Sequence, residues 1–212
     1  MPRITDIAPQ KKRPNYFNIF LDGKFAFSAS AQTVAEKKLK VGQELSDVQL
    51  DHTRKQVGIE KLLTKALFFL SFRSRSEHEI RQYLAQKITD EKDTILADEV
   101  IAKLKKIGQV DDLAFARAWI DSRSRSKPRS LKFIKFELIR KGIDRAIIDQ
   151  ELSQVGPADQ VELALKVLIK KRQKLHKLPE KEQQLKAWGY LSRLGFDWET
   201  AKVAFDQFRQ IK

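Results

Sequence analysis

Three scattered histidines, one adjacent aspartate pair and a dense supply of lysine and arginine are the residues of this chain with chemistry to offer. His52, His78 and His176 stand far apart, and none has a second ligand at the spacing by which a helix or turn grips a metal. Cysteine is absent, which removes thiolate nucleophiles, thiolate metal sites and any disulfide framework. The eight glycines include no G-x-G-x-x-G and no phosphate loop, and no G-x-S-x-G elbow occurs. Asp111-Asp112 has the composition of a metal or general-base pair. Asp159 recurs at the matching junction further along, so helix capping is the expectation there. No catalytic, cofactor-binding or metal site is advertised, and a protein without enzymatic activity is expected.

The cations remain. Forty-two Lys and Arg against 28 Asp and Glu give a net charge of +14 over 212 residues. Residues 117–145 carry ten basic residues against three acids, and residues 165–186 carry eight against two, so two windows hold +13 of the excess. Charge concentrated in this way points to a polyanionic partner, either nucleic acid or a nucleoprotein surface, rather than to solubility alone. Apolar residues at 42% exclude a disordered chain. The longest apolar run, Ala66-Leu67-Phe68-Phe69-Leu70, is far short of the roughly 20 residues of a membrane span. No apolar stretch follows the N-terminal charges as in a signal peptide, so a cytoplasmic protein is expected by elimination.

The elements that position these cations are mostly helical. Tyr16–Leu21 and Lys24–Phe27 flank Asp22-Gly23, whose residue types suit a two-residue hairpin turn. Two strands alone are marginal, so the hairpin must lean on helices expected at about 30–38 and 47–58, the second capped by Ser46. No strand pattern appears beyond Ile59. From there the chain repeats with a period near 50 residues. Arg73-Ser74-Arg75-Ser76 recurs as Arg123-Ser124-Arg125-Ser126, with Ala66 matching Ala116 and Leu70 matching Ile120. A fainter third copy has Val155-Gly156-Pro157-Ala158-Asp159 echoing Ile107–Asp111, and Leu191–Asp197 echoing Leu138–Asp144. Each copy divides into three short helices. Gly142 and Gly195 suit the left-handed position that ends a helix. Asp144 and Asp197, and Asp111 with Asp112, suit the caps that start the next one. The fold class is therefore mainly α: three tandem three-helix repeats in an elongated curved array behind a small N-terminal β-hairpin with helices. The expected divisions are 1–59, 60–108, 109–156 and 157–212.

Phe68, Trp119, Trp188 and Trp198 recur at helical spacing with other apolar residues, so core packing is expected of them. Phe72 and Phe133 lie beside the basic stretches and are candidates to touch a partner. Gln183–Arg193 has the look of a DNA-reading helix, but no Asn or Gln pair repeats in register. Contact with phosphate or an acidic surface fits better.

Arg73-Ser74-Arg75-Ser76-Glu77-His78-Glu79-Ile80-Arg81 and Gly108–Trp119 resemble the two signature stretches of the RecX family. The hairpin at 15–27 followed by Leu39-Lys40-Val41-Gly42-Gln43-Glu44-Leu45 resembles the N-terminal extension of its longer members. The likeness covers nearly the whole chain, and its specificity lies in the order and spacing of these pieces. It implies tandem three-helix repeats and direct binding to the RecA–single-stranded DNA filament. It further implies inhibition of RecA's ATPase, strand exchange and filament growth, and hence a role in homologous recombination, DNA repair and the SOS response. Two departures stand out. Ile88 occupies the place after Lys87 where the family carries Gly, and the third copy replaces the Arg-Ser-Arg-Ser element by Lys171-Arg172-Gln173 with a longer connection through Pro179.

A monomer contacting RecA, and single-stranded DNA with it, would use Arg73, Arg75, Arg123, Arg125, Arg129, Lys132, Lys135, Arg140, Lys141, Lys171 and Arg172. Any one of these also has an ordinary reading as a solvated charge or intrahelical pair worth about 0.3–0.5 kcal/mol. The alternative function is a general nucleic-acid-binding helical repeat protein acting on DNA or RNA directly. An adaptor for some other assembly survives if neither partner binds.

Overall fold

The computed structural model describes residues 1–88 and 94–211, and residues 89–93 and 212, parts of the expected first and third repeats, lie outside the described residues. The chain forms two compact units, Met1–Arg73 with Ile80–Gln109, and Ser74–Glu79 with Val110–Lys212.

In the first unit, β1 (Ile4–Gln10), β2 (Arg13–Leu21) and β3 (Lys24–Ser30) form an antiparallel sheet in the order β1-β2-β3. The expected hairpin is its β2–β3 half, closed by Asp22-Gly23 between the paired Leu21 and Lys24. The first strand is the addition. Its sequence alternates poorly, but Ile4 is fully buried, and its backbone also bonds the 42–45 segment, Ile4 N donating to Gln43 O and Gly42 N to Ile4 O. Ile4, Ile19, Leu21, Phe27 and Ala29 pack beneath the sheet with Leu39, Leu45, Leu50 and Val57.

After α1 (Ala31–Glu36), Ser46 caps α2 (Asp47–Leu70) through a capping box with Gln49. The helix does not stop near residue 58. It runs on into the helix expected to lead to Arg73, because nothing in Val57–Lys61 breaks it, and it crosses the 59/60 division. Gly58 lies inside it, where a Cβ would meet Leu96 Cδ1 at 2.7 Å. That close approach seats α4 (Thr94–Lys106), which buries Leu96, Val100, Ile101 and Leu104. Between them comes α3 (Glu77–Ala85), with Ile80 and Leu84 buried.

The second unit holds two helical layers. Helices α5 (Asp112–Arg125), α6 (Leu131–Arg140) and α7 (Arg145–Leu152) enclose Phe115, Ala116, Ile120, Ile134, Leu138, Ile143, Ile148 and Leu152. Helices α8 (Pro157–Lys170), α9 (Arg172–Leu175), α10 (Glu180–Arg193) and α11 (Trp198–Gln210) enclose a second core around Leu163, Leu168, Leu175, Leu191, Phe205 and Phe208. The extra single-turn α9 occupies the longer connection seen in the sequence. Asp111, Asp144 and Asp197 cap their helices as expected. Asp112 does otherwise: it accepts the Glu77 backbone N–H at 2.8 Å and so serves the start of α3.

Two corrections concern the aromatics. Phe68 and Trp198 are 65% and 57% exposed, whereas Trp119 and Trp188 pack against their cores. Helical spacing puts an aromatic in line with apolar neighbours, but cannot say whether another helix covers that face.

Candidate partner-binding surface

The repeated serines and glycines set the frame. Ser76 caps α3, accepting from Glu79 N at 3.2 Å, and its hydroxyl donates to the Lys141 carbonyl at the end of α6 at 2.6 Å. The next residue, Gly142, has φ +73°, and a Cβ there would sit 2.3 Å from His78 Cβ. The same joint recurs one repeat on. Ser130 caps α6, its backbone N–H donates to the Leu194 carbonyl at 3.1 Å, and a Cβ on Gly195 (φ +83°) would lie 2.5 Å from Ser130 Oγ. Glycine is thus required where a capping serine presses on a helix end, both for the left-handed backbone and for the space.

This joint realigns the repeats. Ser76 corresponds to Ser130, Ile80 to Ile134 and Leu84 to Leu138, all four apolar residues being buried. The second Arg-Ser-Arg-Ser therefore does not occupy the place of the first. Arg73–Ser76 follows the end of α2, whereas Arg123–Arg125 form the last turn of α5, with Ser126 at its C-cap. In the same alignment Ile88 matches Gly142 by position.

The cations divide into those held inside the unit and those left at its surface. Arg123 Nε donates to Glu137 Oε2 at 2.6 Å, and its guanidinium lies 4.5 Å from the Trp119 ring centroid. Trp119 Nε1 donates to the same carboxylate at 2.8 Å. Lys141 pairs with Glu79 at 2.6 Å and lies 5.2 Å from the same ring centroid. Both cations are largely covered, so their charges lie within a closed network. Arg117, which sequence reasoning did not single out, grips the buried Glu151 through Nε and Nη2 at 2.8 and 3.1 Å. Its guanidinium is pushed up from the ordinary value, first by that hydrogen bond and then by the charge of Glu151.

Helix α6 carries the opposite arrangement. Lys132, Phe136, Ile139 and Arg140 are exposed along one side, Phe136 by 56%. Arg129 lies 5.1 Å from the Phe133 ring centroid and Arg140 5.9 Å from that of Phe136. Lys135 pairs with Asp149 at the surface, a contact worth only about 0–1 kcal/mol. Lys132, Phe133, Lys135, Phe136 and Ile139 form one wall of a cavity of about 720 Å³, closed opposite by Ser192, Gly195, Phe196 and Asp197 at the α10–α11 junction. The structure thus brings Arg129, Lys132, Lys135 and Arg140 together around an apolar hollow.

The other candidates stand apart. Arg125 is 81% exposed with an i,i+4 partner in Asp121. Lys171 lies 5.8 Å from the Tyr190 ring centroid, with Arg193 at 5.3 Å from the same ring. Arg172 is half-buried at the start of α9. Arg73 and Arg75 fall in different units, the first exposed and the second half-buried. Sequence reasoning missed Phe136, Ile139 and Arg193. The first two share a side of α6 with Lys132, which four-residue and three-residue spacing would have shown. Among the described residues no group of three or more His, Asp or Glu is placed to hold a metal ion, and no helix is long and apolar enough to cross a membrane.

Comparison with known proteins accounts for nearly all of this architecture. Residues 2–46 match the regulatory protein RecX N-terminal domain, and residues 63–104, 111–152 and 158–205 match the first, second and third three-helix domains of RecX. Regulatory protein RecX of Bacillus velezensis is 35% identical over 207 residues, covering 98% of this chain and 78% of the relative. That of Bacillus subtilis is 36% identical over 207 residues, covering 98% and 77%. A crystal structure of regulatory protein RecX superposes with a TM-score of 0.71 at 28% identity, covering 97% of this chain and all of that one. On these grounds the chain belongs to the RecX family.

Proposed function

We propose that the chain regulates a RecA recombinase by binding the RecA–single-stranded DNA filament, chiefly through the α6 face. Without chemistry of its own it lowers ATP hydrolysis, strand exchange and filament growth. Family membership supports the regulatory role. The observation that carries the binding site is the coincidence on α6 of an exposed aromatic, an apolar hollow and surface cations. Aromatic and arginine anchors beside a desolvated pocket are where binding energy concentrates in protein interfaces, and a polyanionic nucleoprotein filament supplies the complementary charge. A body that binds one packing of neighbouring protomers better than another shifts the filament toward it, by as much as its affinities for the two differ.

Arg129, Lys132, Lys135 and Arg140 are the leading contacts in this reading. Arg73, Arg75, Arg125, Lys171 and Arg172 are subsidiary, while Arg123 and Lys141 act by shaping the unit. The division into a module at 1–59 and repeats at 60–108, 109–156 and 157–212, a monomeric state and a cytoplasmic location belong to the same proposal. The test is RecA's DNA-dependent ATP hydrolysis with increasing amounts of the protein. Inhibition at amounts well below those that coat the DNA supports the reading, and undiminished hydrolysis at saturating protein refutes it.

A further inference from the structure

A second exposed face lies outside both basic windows, in the first unit. Lys61, Lys65 and Phe68 follow one another along α2 at spacings of four and three, so they share one side of the helix, and Phe72 follows just past its end. All four are exposed, the two phenylalanines by 65% and 69%. Their rings meet edge to face, with centroids 5.0 Å apart and an interplanar angle of 88°, and Leu67 beside them is also exposed. Arg13 of β2, whose guanidinium lies 5.8 Å from the Tyr16 ring centroid, is near enough for its charge to bear on Lys61. Burial first, and then the like charges of Lys65 and Arg13, hold the Lys61 ammonium below its ordinary value. None of these three cations is drawn into an ion pair among the described residues. Two repelling lysines one turn apart cost a helix stability, and so do two exposed rings.

We infer that this face binds a single strand of nucleic acid, with phosphates against Arg13, Lys61 and Lys65 and unpaired bases stacked on Phe68 and Phe72. Unpaired cations in line with exposed aromatic faces match a backbone whose charges and bases alternate along one strand. A duplex keeps its bases stacked inside and offers the rings nothing. The inference does not rest on the RecA reading, since it concerns bare nucleic acid and residues on a different unit from α6.

The full-length chain is titrated against a fluorescein-labelled oligothymidylate of about 20 nucleotides, long enough to span a site of this kind, with anisotropy read at several salt concentrations. Phe68→Ala with Phe72→Ala is expected to weaken single-strand binding by about tenfold to a hundredfold, with little change toward a duplex of the same length. Lys61→Gln with Lys65→Gln is expected to flatten the salt dependence by about 1.4 in log–log slope, roughly 0.7 for each phosphate released. Circular dichroism of each variant reports folding, which these exposed positions do not support. Unchanged oligonucleotide affinity in both variants overturns the assignment. So does a loss confined to Lys132→Gln with Arg140→Gln, which would move the strand to α6. Binding of the wild-type chain to an acidic protein but not to the oligonucleotide also overturns it. Failure of the filament reading shows separately, as normal oligonucleotide binding without inhibition of RecA.

Discussion

The tetrapeptide Arg-Ser-Arg-Ser occurs twice, and its two copies serve different ends. In Arg73–Ser76 the chain has already left α2, and the last serine both caps α3 and clasps the Lys141 carbonyl. In Arg123–Ser126 the helix continues, so Arg123 points to Glu137 and Trp119, and the Ser126 hydroxyl bonds back to the Ser122 carbonyl within the same helix. Identical neighbours along the chain therefore say little about role. What decides is where the helix ends, and distant partners set that. Lys170 Nζ donates to the Ser126 carbonyl and closes α5, while Leu194 receives Ser130 and starts α6.

Substitutions sharpen or break this contrast in order of expected size. Gly142→Ala meets both a left-handed backbone and the His78 Cβ at 2.3 Å, so a loss of about 2–4 kcal/mol is expected in urea unfolding. A loss under about 0.5 kcal/mol would mean the joint is loose. Ser76→Ala removes a cap and a hydrogen bond to Lys141 and is expected to cost about 2 kcal/mol. Ser126→Ala, at the matching letter of the second tetrapeptide, is expected to stay within about 0.5 kcal/mol. Equal costs would restore the simple sequence alignment. Arg123→Met leaves Glu137 with only the Trp119 donor and is expected to cost about 1–2 kcal/mol. Arg125→Met, two residues on at 81% exposure, is expected to change stability by less than about 0.5 kcal/mol.

The smallest effect concerns the second joint. Asp197, two residues beyond Gly195, accepts the Thr200 N–H at 2.7 Å, and that bond holds its carboxyl below the ordinary 3.8. The folded state thus binds the proton less readily than the unfolded chain. Its contribution is fully present above the ordinary value and is lost as pH falls through the lowered one. Asp197→Asn is expected to remove that part of the acid-side slope while keeping a cap. An unchanged slope in acid titration of stability would assign it to other carboxylates.

Much of this frame was legible in the residues. The Asp22-Gly23 turn, the caps at Ser46, Asp111, Asp144 and Asp197, and the helix-ending glycines are local devices whose chemistry lies within four residues of the place it acts. The rest depended on partners remote in sequence. β1 is a strand because Ile4 finds a pocket and Gln43 an N–H, not because its residues alternate. The realigned repeats follow from a shift of four positions, from Ser126 to Ser130, that only the joint reveals. Among the cations, Arg123 and Lys132 look alike in a charge count, yet one closes onto Glu137 and the other borders an open hollow. Which side of a helix its neighbours leave uncovered is a property of packing, and Phe68 and Trp198 were beyond reach for that reason.

The central claim is that the α6 face, rather than basic charge in general, carries regulation. Its most direct test is RecA's DNA-dependent ATP hydrolysis titrated with three proteins: the wild-type chain, Lys132→Ala/Phe136→Ala/Arg140→Ala, and a control of equal charge change, Lys166→Ala/Lys202→Ala, on α8 and α11, neither of which lines the hollow. The account predicts that the wild type and the control inhibit alike, and that the α6 variant, folded by circular dichroism, needs at least about tenfold more protein for the same inhibition, as expected when anchor residues of an interface are truncated. Equal inhibition by all three would contradict it and leave the hollow without a part in binding RecA.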